Sequence, residues 1–318
     1  MATDFFSDVV FKMGVIVLTF KIIIVIYFSV IITNFNRSRK CLRAVNSVLN
    51  QTYNLFECVV VDDCSTDDSL EQLHKIVDER LTVYSLSKNI GQANILNKFI
   101  PKLAYDWVAI LDSDDYWDTS RLKEQVKQIM ENQMTSRIFY CASKIYKGDT
   151  FVRNVNAYIP NNPTKNIKLI NFVGIPSRVI IHKQAYIDSG GFDSDLPSCK
   201  DWDCWVRVIK KESAMCINEY LVYYEETEDS VSSNENKLIE GRIKFWNKNF
   251  DKKEFDLLEP FIRRQFVKTL ISRGFKIEAR KQMAIILKKE FRFINLIIYV
   301  MSYMPTKMVK LIYKLIVK

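Results

Sequence analysis

Four aspartates fall within seven residues in "VAILDSDDYWDTSRL": Asp112, Asp114, Asp115 and Asp118 follow directly on a run of apolar side chains. Crowded carboxylates repel one another, and a bound cation is the simplest neutralising partner. A second pair, Asp62 and Asp63, follows the apolar run of "FECVVVDDCSTDDS", and a third group, Asp201 and Asp203, lies in "CKDWDCWVRV". Such carboxylates can hold a hard divalent cation or take a proton in general-base catalysis. The plainer reading is solvated turns in which Asp and Ser cap the next helix. Seven cysteines without a CxxC pair fit a reducing compartment, and two histidines make a zinc site a poor expectation.

The elements that must carry these acids follow a repeated grammar. Residues 28–33 read as an apolar strand, and Leu42, Val45, Val48 and Leu49 recur at spacings of three and four, the buried face of a helix. Residues 56–61 form a β-branched strand, with a helix after Ser65 or Thr66 that points Leu70, Leu73 and Ile76 inward. Residues 81–86 and 107–111 repeat the strand pattern, with a short helix over 93–99 between them. Strands alternating with helices predict an α/β fold, a doubly wound, mostly parallel sheet with its loops gathered on one edge. Asp62, Asp63, Asp112, Asp114 and Asp115 then converge on one crevice. Further on, residues 138–146 read as a strand, Gly190 and Gly191 as a tight turn, and residues 201–211 as a helix with Trp202, Trp205, Val206 and Ile209 on its apolar side.

The charge is unevenly placed. Residues 261–318 hold 14 Lys or Arg against two Glu, a net +12, which leaves −3 on residues 1–260 of the total +9. A basic tail on an acidic body argues against a nucleic-acid-binding core. At the other end, residues 14–32, "GVIVLTFKIIIVIYFSVII", are long enough for a membrane span, but Lys21 sits near the middle, where insertion costs roughly 2.5–3.5 kcal/mol. A buried strand preceded by an apolar extension is the competing reading.

Six segments in order, "SVIITNFNR", "SVLNQTY", "VVVDDCSTDDS", "NIGQANILN", "LDSDDYW" and "GGFDSDLPSCKDWDCWVRV", resemble the family 2 glycosyltransferases, inverting enzymes of the GT-A fold that use nucleotide-diphospho-sugars. The resemblance runs from about residue 29 to 232. It implies a GT-A domain over residues 28–235, behind an apolar extension over 1–27 and ahead of a helical, basic region over 236–318. It also implies that Thr33 and Phe35 border the nucleotide base, and that Asp63, with or without Asp62, accepts a hydrogen bond from the uracil edge of a UDP-sugar. Asn89 and Gly91 resemble the family's loop beside the nucleotide, although a simple turn also favours this pair. Asp112, Asp114 and Asp115 match the family's DxD region, which holds Mg²⁺ or Mn²⁺ against the donor diphosphate: Asp114 as ligand, Asp112 toward the ribose or a metal-bound water, Asp115 third.

Inversion needs one general base on the acceptor side, and the resemblance places it at Asp201, with Asp203 as the alternative. The sequence departs from the family pattern twice. Lys200 stands where many members have Glu, and Glu225, after the tyrosines of "VYYEETEDSVSS", stands where an Arg or His is common. The implied activity is transfer of a sugar to a hydroxyl of a lipid-linked or polysaccharide acceptor in surface glycan synthesis. The competing activities are a non-catalytic nucleotide-sugar-binding relative and a nucleotidyltransferase, though "TNFNRSRK" lacks the glycine-rich phosphate loop the latter needs. The tail "FINLIIYVMSYMPTKMVKLIYKLIVK", split by Pro305, reads as an amphipathic contact with an anionic membrane or as helices packed on the catalytic domain. The expected location is the cytoplasm, at the inner face of the cell membrane.

Overall fold

The computed structural model describes residues 25–227 and 234–305, together with Met308. The first half runs β1 (Phe28–Asn34), α1 (Ser38–Leu49), β2 (Phe56–Asp62), α2 (Ser69–Leu73), β3 (Leu81–Ser85), α3 (Gln92–Phe99) and β4 (Trp107–Asp112). There follow β5 (Tyr116–Trp117), α4 (Arg121–Glu131), β6 (Ile138–Lys147), β7 (Thr150–Val155), α5 (Pro163–Leu169), β8 (Val179–His182), α6 (Lys183–Asp188), α7 (Lys200–Ile209) and β9 (Ala214–Glu225). Four helices close the described chain: α8 (Glu235–Asn249), α9 (Lys252–Arg273), α10 (Lys276–Lys289) and α11 (Phe293–Met301).

The strands form one mixed sheet in the order β3-β2-β1-β4-β8-β6-β9-β5, with β7 paired to β6. β3, β2, β1 and β4 are parallel, β8 runs antiparallel to both β4 and β6, and β9 is parallel to β6. The expected doubly wound, mostly parallel sheet is therefore present, widened by an antiparallel insertion and by the short strand β5. Both faces are covered, which is why β1, β2 and β4 are apolar almost throughout. Alternate residues of β1 serve opposite sides: Ile31 packs with Val59, Val61, Val108 and Ile110 toward α3, α7 and the C-terminal helices, while Val30 and Ile32 pack with Val60, Ala109 and Leu111 toward α1 and α4.

Register fixes where the site must be. Thr33 of β1 lies opposite Val61 of β2 and Asp112 of β4, and Asn34 lies opposite Asp62. The C-terminal ends of the three central strands are thus level, and the loops leaving them share one rim.

The apolar run over residues 14–32 divides. Phe28 to Ile32 are buried in β1, as the strand reading expects, and residues 14–24 lie outside the described residues. Among the described residues no helix is long and apolar enough to cross a membrane. The basic region is helical, as expected, and it shares the sheet's hydrophobic core: Phe245, Phe266, Met283, Ile298 and Met301 join the cluster that holds Ile31 and Val108. Residues 306–318, apart from Met308, lie outside the described residues.

Candidate active site

A cleft of about 680 Å³ opens along this rim. The strand ends supply Thr33, Asn34, Phe35, Asp63, Asp112 and Asp114; the start of α7 supplies Asp201 and Trp202; α8 and α9 supply Leu238, Arg242, Gln265 and Thr269. The two acidic strand ends and the helix-borne Asp201 that the sequence offered separately therefore face one space.

At the β1–β2 end, Phe35 is 45% exposed at the cleft wall, so its ring is available to stack on a flat ligand and is not core packing. Gln92 Nε2 bridges Thr33 Oγ1 (3.2 Å) and Asp112 Oδ1 (2.5 Å), tying the ends of β1 and β4 together. The Asp63 carboxylate receives the backbone N–H of Ile90 at 2.7 Å and of Gly91 at 2.8 Å. Each of its oxygens keeps a second lone pair for a ligand donor. Gly91 holds φ at +79°, a conformation that side chains rarely adopt, and this turn aims both amides at Asp63. Asn89 and Gly91 are not wall residues themselves; their loop acts by clamping Asp63.

The neighbouring acid has another task. Asp62 is fully buried, and its carboxylate accepts from Asn34 Nδ2 (2.9 Å), Ser65 Oγ (2.6 Å) and Ser65 N (2.8 Å). It fastens the loop after β2 to the end of β1 and does not reach the cleft.

The three acids of the DxD region also separate. Asp112 and Asp114 line the cleft, and burial followed by the adjacent Asp114 pushes Asp112 up to about 7. Asp115 is turned beneath the loop: its Oδ2 accepts from Ser177 Oγ (2.5 Å), its Oδ1 from the backbone N–H of Glu225 (3.1 Å), and burial raises its pKa well above the usual carboxylate range. With both oxygens engaged there, Asp115 does not line the cleft that Asp112 and Asp114 face. Two carboxylates that repel each other beside an open cleft still fit a divalent cation of the Mg²⁺ or Mn²⁺ kind, which binds through one or two carboxylates and completes its shell with phosphate oxygens and water. Arg37 Nη1 stands 2.8 Å from Asp114 Oδ2, a positive charge already drawn to that position.

Asp201 sits in the first turn of α7, and burial raises it to about 6 against the opposing pull of the Trp202 backbone N–H and of Arg242. Asn171 Nδ2 lies 3.5 Å from Oδ2. A carboxyl group poised near neutrality in a cleft is suited to accept a proton. Cys199, two residues earlier, holds φ at +62°, left-handed backbone that costs a non-glycine residue roughly 1–3 kcal/mol. Asp203 points the other way. Its fully buried carboxylate accepts from Arg207 Nη2 (2.8 Å), Lys248 Nζ (2.9 Å) and Asn249 Nδ2 (3.1 Å), joining α7 to α8 behind the cleft. Lys200 is not a wall residue.

Glu225, which stands where a cation was expected, is held by Arg43 and by Lys40 at 3.2 Å, both from α1. The cation beside Asp114 is instead Arg37, which lies within "SVIITNFNR". Gln92 was equally visible inside "NIGQANILN". Tyr224 lies within "VYYEETEDSVSS"; Asn171, Arg242, Gln265 and Thr269 carry no comparable signal.

A sheet with a parallel half, a rim of acids at its strand ends and a helix-borne acid beyond them has the architecture of the GT-A glycosyltransferases. The model for glycosyl transferase family 2 matches residues 29–190, and the chain belongs to that family and is a glycosyltransferase. Two curated relatives are similar over most of their length. TuaG of Bacillus subtilis (strain 168), a glycosyltransferase assigned to teichuronic acid biosynthesis, is 31% identical over 211 residues, 65% of this chain and 81% of that one. WfaP of Escherichia coli, a UDP-Glc:α-D-GlcNAc-diphosphoundecaprenol β-1,3-glucosyltransferase, is 28% identical over 211 residues, 66% and 81% of the two chains. Among solved structures, S. aureus TarS in complex with UDP-GlcNAc shares the fold with a TM-score of 0.58 at 20% identity, covering 83% of this chain and 85% of that one. The mannosyltransferase PcManGT from Pyrobaculum calidifontis, in complex with GDP-Man and Mn²⁺, does so with a TM-score of 0.57 at 16% identity, covering 88% and 82%.

Proposed function

We propose that this glycosyltransferase moves a sugar from a UDP-sugar to a hydroxyl of a lipid-linked or polysaccharide acceptor, with inversion at the anomeric carbon, in surface glycan synthesis. The observation that carries the reading is the single cleft in which Phe35, Asp63, Asp112 and Asp114 face Asp201. Phe35 stacks on the base while Asp63 accepts from its ring N–H, and Asp112 serves the ribose or a metal-bound water. Asp114, with Asp112, would hold Mg²⁺ or Mn²⁺, whose charge would stabilise the departing diphosphate. Asp201 takes the proton of the attacking hydroxyl from the face opposite the leaving group. The name of WfaP, with its UDP-Glc donor and diphosphoundecaprenol-linked acceptor, supports the donor and acceptor classes.

A panel of UDP-sugars tested by thermal shift, with Mn²⁺ and with EDTA, should show one donor that raises the melting temperature only with metal and releases UDP slowly when no acceptor is added. No shift with any UDP-sugar, in the presence of Mn²⁺, overturns the donor assignment.

An acceptor carried on a lipid places the enzyme at the inner face of the cell membrane. Phe291 (75% exposed), Tyr303 and Val300 present apolar surface on the last described turns, ahead of the lysines of residues 306–318. Deleting 306–318 removes four lysines without touching the packed face of α11, and each basic residue near an anionic surface contributes about 1 kcal/mol. Binding to vesicles containing anionic lipid should fall steeply in the shortened chain. Unchanged binding moves the contact away from residues 306–318, to the N-terminal extension first, and no binding by the full chain removes it.

A further inference from the structure

Beyond Asp201 the cleft continues into a wall that the sheet does not build. Arg242 of α8 and Gln265 and Thr269 of α9 face this end, with Trp202 at its base. Arg242 is 9% exposed, and its guanidinium lies 4.4 Å from the Trp202 ring centroid and 5.1 Å from that of Phe266. Its Nε is buried without a hydrogen-bond partner, as is that of Arg121; Cys199 and Asp201 are the polar neighbours of Arg242, and no carboxylate lies within ion-pair distance of it among the described residues. Aromatic stacking accounts for where the guanidinium plane rests, but it leaves N–H donors unused. The other deeply buried arginines are placed differently: Arg121 donates to the Arg178 carbonyl and Arg178 to the Cys141 carbonyl, both inside the core. Arg242 faces an open space instead.

The cations of the cleft are divided between its ends. The positive neighbour of Asp112 is Arg37, and that of Asp201 is Arg242. α8 is also seated closely on the loop that leads into α7 and Asp201: a Cβ at Gly241 would come within 2.1 Å of Ser198 Oγ and 2.7 Å of the Ser198 backbone nitrogen. Glycine lets the helix approach, so Arg242 and Asp201 are held in a fixed relation across that contact.

We propose that Arg242, with Gln265 and Thr269, forms an anion subsite that receives a phosphate group of the acceptor and so sets the acceptor hydroxyl against Asp201. A guanidinium that shares the cleft wall with an amide and a hydroxyl offers more donors than the two oxygens of a carboxylate use, which matches the oxygen array of a phosphate. Asp201 is the nearest negative charge but makes no direct hydrogen bond or ion pair with the guanidinium, so donors remain for a second, anionic partner in the cleft. The inference rests on Asp201 marking the acceptor side.

The test uses the full chain saturated with UDP and Mg²⁺, titrated calorimetrically with farnesyl phosphate, inorganic phosphate and farnesol. Farnesyl phosphate is expected to bind once per chain, and farnesol not to bind. Arg242→Met, which keeps an apolar stem over Trp202 and Phe266, should weaken the phosphate ester by about 10- to 100-fold, the usual worth of a charge-assisted hydrogen-bonded group, and leave UDP affinity unchanged. Gln265→Leu, at a half-buried position, should weaken it by a smaller factor and serves if Arg242→Met folds poorly. Inorganic phosphate that binds as well as the ester and is equally sensitive to Arg242→Met supports the subsite and assigns recognition to the phosphate alone. Equal ester affinity in wild type and both variants overturns the proposal, as does failure of both phosphate probes to bind. A loss of UDP affinity in Arg242→Met gives the residue to the donor diphosphate instead. If the wild-type chain fails to bind UDP, the UDP reading has failed, and the same phosphate titration without UDP still decides the subsite.

Discussion

Asp201→Asn should lower the rate of sugar transfer at saturating donor by about 10²–10⁴, the usual cost of removing a general base, and leave UDP affinity unchanged. The amide keeps the size of the side chain and can still accept the Trp202 backbone N–H, but it cannot take a proton. The pH profile gives the same assignment independently. Burial holds the Asp201 carboxyl at about 6, so the group is protonated and unable to act below that pH and ionised above it. At saturating Mn²⁺, which keeps Asp112 ionised, kcat/KM should therefore rise with pH through about 6 with the slope of one proton, and the residual activity of Asp201→Asn should lack that limb. Asp203→Asn is the control. It weakens the pairing of Arg207 and Lys248 and spares the cleft, so its cost falls on stability, toward the low end of the roughly 3–5 kcal/mol for a broken buried pair because both cations keep access to water. Transfer per folded molecule should be retained. Full activity in Asp201→Asn removes the base assignment, and a loss of UDP affinity equal to the loss of rate makes Asp201 a donor-binding residue.

The contrast between these two aspartates shows what a linear sequence carries. Helical spacing already separates Asp201 from Asp203, because residues two apart on a helix do not share a face. The level ends of β1, β2 and β4 follow in the same way from three apolar runs, each closed by an acid or threonine. Asp62 and Asp63 are less legible. They are adjacent acids at the end of one strand, yet one faces the cleft and the other buries its carboxylate against Asn34 and Ser65, a partition set by the path of the loop. Asp115 is hidden for a related reason, since its partners Ser177 and Glu225 are 62 and 110 residues away in the chain. The far wall is the least legible part. Arg242, Gln265 and Thr269 belong to helices whose polar residues read as ordinary solvated faces, and only the packing of α8 and α9 against the sheet turns them toward the cleft. The antiparallel strand β8 was missed because its four residues, bounded by Arg178 and Lys183, lie beyond an irregular, proline-containing stretch where no period can build up.

Asp114→Ala should abolish metal-dependent UDP binding and leave the fold intact. Asp114 and Asp112 are the two acids of the DxD region that reach the cleft, and a cation bound through one or two carboxylates plus phosphate oxygens does not survive the loss of one of them at moderate concentration. UDP affinity measured with Mn²⁺ should therefore drop to the level that wild type shows in EDTA. The structural cost is small, because the one ion pair lost is with Arg37, whose side chain is 29% exposed and can turn to water, and because the substitution leaves no unpaired charge at the buried position of Asp114. Removing the second carboxylate also relieves the repulsion that helps to raise Asp112, so nothing in the apo fold opposes the change. Arg37 gives the experiment a further reading. Freed from Asp114, it can meet the diphosphate directly, and any UDP binding that remains in the variant should be independent of metal and weaken with salt, whereas Asp114→Ala combined with Arg37→Ala should lose that remainder too. If wild-type UDP affinity is the same in Mn²⁺ and in EDTA, and Asp114→Ala matches both, the cleft binds its nucleotide without a metal and Arg37 is the residue that carries the diphosphate.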